Sequence, residues 1–161
     1  MVDIDLHQIL RSAVPQWNRA GFLFLEPEPW RAPSVQSELA RSDTRAIQVR
    51  FGQKRSEPRF TTDYRCRSLQ TTRRILDQIR TDDVSGVVLI VEQQMRDCLL
   101  FLGRLNRLCR PSPPVLMIID PNVESLIPVL MESGASAVMT QVVSDNRIAD
   151  WCRRVAITRR N

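Results

Sequence analysis

Three acids sit where a parallel sheet would present chemistry. Glu26 follows the apolar run FLFL, Glu92 follows GVVLIV, and Asp120 follows VLMII. If each run is a strand, the acids lie at carboxyl ends, where open α/β sheets bind ligands. Three carboxylates converging there could hold a divalent cation through oxygen. Spacing alone does not establish coordination, and solvated loop acids at strand ends are the favoured reading. No metal and no other cofactor is expected, with Glu26, Glu92 and Asp120 the weak ligand candidates.

Other reaction chemistry finds little support. His7 is the one histidine, so no second imidazole can complete a nucleophilic triad. Cys66, Cys98, Cys109 and Cys152 show no CxxC or Cys/His ligand spacing. Cys98 and Cys109 fall on one side of the same helical pattern, which points both inward as core thiols. The five glycines form neither GxGxxG nor GxxxxGK[ST], so no loop cradles a phosphate. No catalytic residue can be named, and an enzyme is not expected.

The charge is polarised. The chain of 161 residues carries a formal net charge of +5, and Lys54 is its one lysine. Arg41–Thr81 holds eleven cations against four acids, whereas Asp82–Asn146 holds four against eight. A basic middle therefore adjoins a mildly acidic second half. Within the middle, Arg50, Lys54, Arg55, Arg59, Arg65 and Arg67 interleave with Phe51, Phe60 and Tyr64. A basic ribbon with aromatics can track phosphates and stack bases, so nucleic-acid binding is the alternative function. The competing readings are a solvated arginine-rich hairpin or a surface for an acidic protein.

These residues need elements to position them. The organising stretch is Val84–Thr140, with continuous apolar runs at Gly86–Val91 and Val115–Ile119 and a short one at Ala137–Met139. Runs of that kind read as strands buried on both faces, and helical patterns separate them. Gln93–Arg110 is helical with an apolar face, and its Gly103 is expected to permit close packing. Ser125 is the expected N-cap of the next helix, with Pro128 in its first turn and Gly134 at its C′ position. Asp145 can cap a last helix over Asn146–Ile157, whose buried stripe is Ile148, Trp151, Cys152 and Val155.

The first half is less regular. In Asp3–Val14, Leu6, Ile9, Leu10, Ala13 and Val14 recur with helical spacing, giving an amphipathic extension over residues 1–20. Phe22–Glu26 fits a first strand, and Ser34–Arg41 a short helix capped by Ser34. Ala46–Phe51 alternates with strand period, and Arg59–Cys66 can return as the second arm of a basic hairpin spanning 46–66. One arm is expected to continue into the main sheet. Leu69–Arg80 then reads as a helix facing inward through Leu69, Thr72, Ile75, Leu76 and Ile79.

The order β-α-β-α-β-α-β-α-β-α over residues 21–161 predicts one α/β domain: a three-layer, doubly wound, mostly parallel sheet of about five strands. Its second half resembles a response-regulator receiver domain, the flavodoxin-like phosphoacceptor module. GVVLIV is similar to the third strand, PPVLMII to the fourth, and LMESGASAVMT to the Gly-Ala step into the fifth. The resemblance implies an acceptor carboxylate after the third strand, acids after the first that hold magnesium, a hydroxyl after the fourth and a lysine after the fifth. Here the acceptor position falls on Val91, the hydroxyl position on Ile119 and the lysine position on Gln141. Only Glu26 and Glu28 partly match the first-strand acids. A valine cannot carry a phosphoryl group, so the resemblance is to a degenerate receiver.

The expected function is thus a non-catalytic signalling or regulatory module that works by protein–protein contact. Receiver-like domains often use the last helix, fifth strand and fourth helix for contact. By that resemblance the partner-binding candidates are Val129, Glu132, Arg147, Trp151 and Arg154, for a signalling or transcription component or a second copy of this chain. The N-terminus has early acids and no basic leader pattern, and no apolar run is long enough to span a bilayer. A cytoplasmic location without membrane contact is the expectation.

Overall fold

The computed structural model describes residues 20–27, 30–40, 42, 44–51, 72–77, 79–80 and 84–160. The Asp3–Val14 helix with His7, the second hairpin arm Arg59–Cys66, and Lys54, Arg55, Arg59, Arg65 and Arg67 lie outside them. Five strands form one sheet: β1 (Ala20–Glu26), β2 (Thr44–Arg50), β3 (Val84–Ile90), β4 (Val115–Ile119) and β5 (Ala137–Thr140). Their order is β2-β1-β3-β4-β5, and every pairing is parallel. Parallel neighbours need crossovers, and helices supply them: α1 (Arg31–Leu39), α2 (helical at 72–77 and 79–80), α3 (Met95–Leu108) and α4 (Ile127–Glu132), with α5 (Asp145–Arg160) after β5.

The continuous apolar runs are explained by two cores, one on each face of the sheet. Leu23, Leu25, Val87, Leu89, Val91, Met117 and Ile119 meet Ile75, Leu76 and Ile79 of α2, Phe101, Leu102 and Leu105 of α3, and Leu130 of α4. On the other face, Phe22, Phe24, Val88, Ile90, Leu116 and Ile118 meet Ala32, Val35 and Leu39 of α1, and Ile148, Ala149, Trp151 and Cys152 of α5. Central strands thus bury consecutive side chains, Phe22–Glu26, Val87–Ile90 and Val115–Ile119, whereas the edge strand β2 keeps the alternation seen in AIQVRF: Ile47 and Val49 are buried, Gln48 half-buried. That alternation reflects an edge strand paired in parallel along the whole of β1, Ala20 against Thr44 through Glu26 against Arg50. The first hairpin arm is therefore part of the main sheet.

Two glycines are required by geometry. A Cβ at Gly86 would lie 2.6 Å from the ring of Phe22, its register partner on β1. Gly134 has φ 114° and ends α4 as expected, in a conformation that L side chains rarely adopt. Gly103 differs from expectation. A Cβ there would meet nothing within 4 Å, so it serves no close packing on α3.

Three helix starts also differ. α1 begins at Arg31, three residues before Ser34, because the carboxylate of Glu26 reaches forward and accepts from its first N–H groups. Ala32, Val35 and Leu39 face inward from this earlier start, and Ala40 is exposed. Ser125 caps nothing: Asp120 Oδ1 accepts from the Asn122 N–H (2.8 Å) and starts a 3-10 turn over Pro121–Leu126 that leads into α4. At α5, Ser144 Oγ accepts from the Arg147 N–H (3.3 Å), so the cap lies one residue before Asp145.

Candidate functional site

The carboxyl ends of β1, β3, β4 and β5 come together at one rim of the sheet. Parallel pairing throughout the sheet places them there, and ligands of doubly wound proteins bind at such rims. What occupies the rim here is a network of internal hydrogen bonds.

Glu26 ends β1 and is fully buried. Its Oε2 accepts from the Arg31 N–H and its Oε1 from the Ala32 N–H, each at 3.1 Å. A carboxylate at a helix start satisfies donors that have no partner within the helix and complements the positive end of the dipole. Burial nevertheless pushes its pKa upward, against those backbone hydrogen bonds, and the charge of Glu92 raises it further.

At the acceptor position, Val91 is buried with 2% exposure in the core beneath α2 and α3. Its N–H donates to the Ile118 carbonyl (2.8 Å), and its own carbonyl accepts from Nε2 of Gln141 (2.9 Å). Gln141, at the lysine position, thereby spans from β5 to β3, while its N–H donates to the Ile119 carbonyl (2.8 Å). The turn after β3 is closed by Gln94, a buried amide. Its Nε2 donates to the Ile90 carbonyl (2.9 Å) and its Oε1 accepts from the Glu92 N–H (2.7 Å).

The three strand-end acids therefore work separately. Glu26 caps α1, Asp120 caps the 3-10 turn, and the Glu92 side chain is exposed. Among the described residues, no three His, Cys, Asp or Glu side chains are grouped to hold a metal ion. The convergence considered for Glu26, Glu92 and Asp120 is thus not found: Glu26 turns both oxygens to the backbone of α1 and Asp120 commits one to its own turn. A magnesium ion of the receiver type does not fit this donor set.

A residue that sequence reasoning missed completes the rim. Arg31 is buried at the start of α1, and its guanidinium crosses to the β5–α5 connection. Nη1 donates to the Gln141 carbonyl (3.3 Å) and Nη2 donates to the Val143 carbonyl. Nε lies 2.8 Å from Oδ1 of Asp145, a close ion pair without an aligned hydrogen bond. The guanidinium carbon also sits 5.1 Å from the centroid of the half-exposed Trp30 ring. Nothing in EPEPWR distinguishes this arginine from the others, because its partners are more than a hundred residues away.

The partner-binding candidates divide. Val129 is 52% exposed, and Glu132 on α4 and Arg147 and Arg154 on α5 are exposed as well. Trp151 is 7% exposed and packs edge-on against Phe22, with ring centroids 5.8 Å apart. Helical periodicity puts it on the stripe with Ile148 and Cys152, so it belongs to the core and presents no contact surface. Leu126 and Met131 supply exposed apolar area around Val129 that the sequence had not singled out.

No family model matches this chain, and no curated protein matches it either. Solved structures do. The chain is similar to the receiver domain of the Francisella response regulator 1452, with a TM-score of 0.64, 11% identity, and 88% of this chain and 99% of that one covered. A response regulator from Thermotoga maritima matches with a TM-score of 0.60 and 11% identity over 86% and 98% of the two chains. A CheY-like protein from Pseudomonas aeruginosa PAO1 matches with a TM-score of 0.60 and 14% identity over 86% and 94%. The fold is that of a receiver domain, as the strand runs of the second half had suggested.

Proposed function

We propose that this chain is a non-catalytic signalling and regulatory module that works by protein–protein contact and without phosphoryl transfer. One observation carries the reading: the acceptor position holds a buried valine whose carbonyl is already bonded by Gln141. Phosphoryl transfer in this fold would need a carboxylate there and a cation beside it. The likeness in fold to response-regulator receivers supports a role in signalling, with a protein as partner. The cytoplasmic location expected from the sequence belongs to the same proposal. Among the described residues, no helix is long and apolar enough to cross a membrane.

The proposed contact surface is formed by Val129, Glu132, Arg147 and Arg154. Val129 supplies exposed aliphatic area, and Glu132, Arg147 and Arg154 supply charge of both signs, a mixture that suits a modest protein interface. The test compares affinity purification with the wild type, with a Val129→Asp/Arg147→Glu double variant, and with Leu100→Asp on the outward side of α3. The reading expects a partner held by the wild type and by Leu100→Asp but lost by the double variant. Equal recovery with all three would reject this surface.

A further inference from the structure

At the rim, Arg31 ties α1 to the connection that leads from β5 into α5. It belongs to α1, yet its side chain bonds two carbonyls of the β5–α5 connection and pairs with the first residue of α5. The connection is short, Gln141 to Ser144, and it carries Val142 with 82% exposure. Val143 packs partly against the core and its N–H donates to the Thr140 carbonyl (3.0 Å), but Val142 contributes no burial, so hydrogen bonds from outside the segment add to what holds it. Those bonds come from both sides. Gln141 ties it inward to Val91 and Ile119, and Arg31 ties it to α1. Further along, Arg153 of α5 donates to the Glu38 carbonyl of α1 (2.5 Å) while pairing with Asp150 (2.6 Å). α1 is thus tied near both of its ends, to the start and to the middle of α5.

We infer that Arg31 is a permanent clasp that fixes the β5–α5 connection in one arrangement with no phosphoryl group or metal required. The chemistry suits arginine. A planar guanidinium with donors fixed in a fork can meet two carbonyls and a carboxylate at once, whereas an ammonium is a single point charge. Its charge is neutralised by Asp145, and its desolvation is offset by the two carbonyls. The surface beside it is therefore held ready instead of being switched. This rests on the contact-surface reading above, because the clasped connection leads directly from β5 into α5.

The test is hydrogen–deuterium exchange on the full chain, comparing wild type, Arg31→Met, Arg31→Lys and Asp145→Asn. In Arg31→Met, amides of Gln141, Val143, Arg147 and Ile148 should exchange faster by about tenfold or more, while those of β4 stay unchanged. Arg31→Lys should restore only part of the protection. If Arg31→Met does not fold, Asp145→Asn, which leaves the core intact, should raise exchange at the same amides. In the wild type, adding beryllofluoride with magnesium should leave that exchange unaltered. Protection equal to wild type in Arg31→Met and Asp145→Asn, or a connection that becomes protected only on adding beryllofluoride and magnesium, would overturn the clasp. The exchange readout needs no partner, so its failure is distinct from failure of the contact-surface reading.

Discussion

The strand-end rim and the α4–α5 surface are built to opposite rules. At the rim, the polar side chains that a ligand would need are spent on the protein's own backbone: Glu26 on α1, Gln94 on the β3 turn, Gln141 on Val91, Arg31 on the β5–α5 connection. On α4 and α5, Val129, Met131, Arg147 and Arg154 are left to solvent. The contrast teaches where change is tolerated. A site satisfied internally resists substitution because each loss strands a buried partner, whereas a solvated surface loses only its contacts with other molecules.

Placing an acid at Val91 should break the rim most severely. Val91→Asp places a carboxylate in the apolar core beneath α2 and α3 and should lower stability by about 3 kcal/mol or more, read from urea unfolding. It should not restore phosphoryl uptake, since Glu26 remains committed to α1. Removing the α1 cap comes next. Glu26→Ala leaves two helix-start N–H groups without their acceptor and should cost about 1–2 kcal/mol.

The same carboxyl gives a pH signature. Its pKa is raised in the folded state, chiefly by burial, so ionisation opposes folding. The stability it contributes is complete below the ordinary glutamate value of 4.5 and is lost as pH rises through the raised value. Glu26→Gln should remove that decline. A parallel pH dependence of the unfolding midpoint in wild type and Glu26→Gln would contradict the assignment.

Smaller effects follow for the bridge and for the surface. Gln141→Ala loses one hydrogen bond to the Val91 carbonyl and should cost about 1 kcal/mol, seen as a lower urea midpoint with an unchanged slope. The Val129→Asp/Arg147→Glu variant should stay within about 0.5 kcal/mol of wild type, because both side chains are exposed. A large loss of stability there would mean that this surface is part of the core, and the contrast between the two regions would fail.

The central fold was legible because its strands are buried on both faces. GVVLIV and VLMII have no alternative use for so many consecutive apolar side chains, and Gly134 could end only a helix that needed a positive φ. The rim was legible by position but not by role. Val91, Ile119 and Gln141 were singled out by the resemblance to a receiver, whose positions are counted from strand ends that local sequence reveals. Arg31 was not, because its meaning comes from carbonyls supplied across the fold by Gln141 and Val143. Trp151 was misassigned for a different reason. Periodicity had already put it on the buried stripe of α5, and the family resemblance added it to the contact surface against that reading; its packing on Phe22 agrees with the periodicity. Gly103 shows the reverse error, a glycine credited with packing where no neighbour approaches.

The most direct test of the rim is intact-mass spectrometry of the purified chain after incubation with acetyl phosphate and magnesium. The internal network around Val91, Glu26 and Gln141 predicts an unchanged mass, with the same result after Val91→Asp. A stoichiometric, acyl-phosphate-type mass increment on the wild type would contradict it.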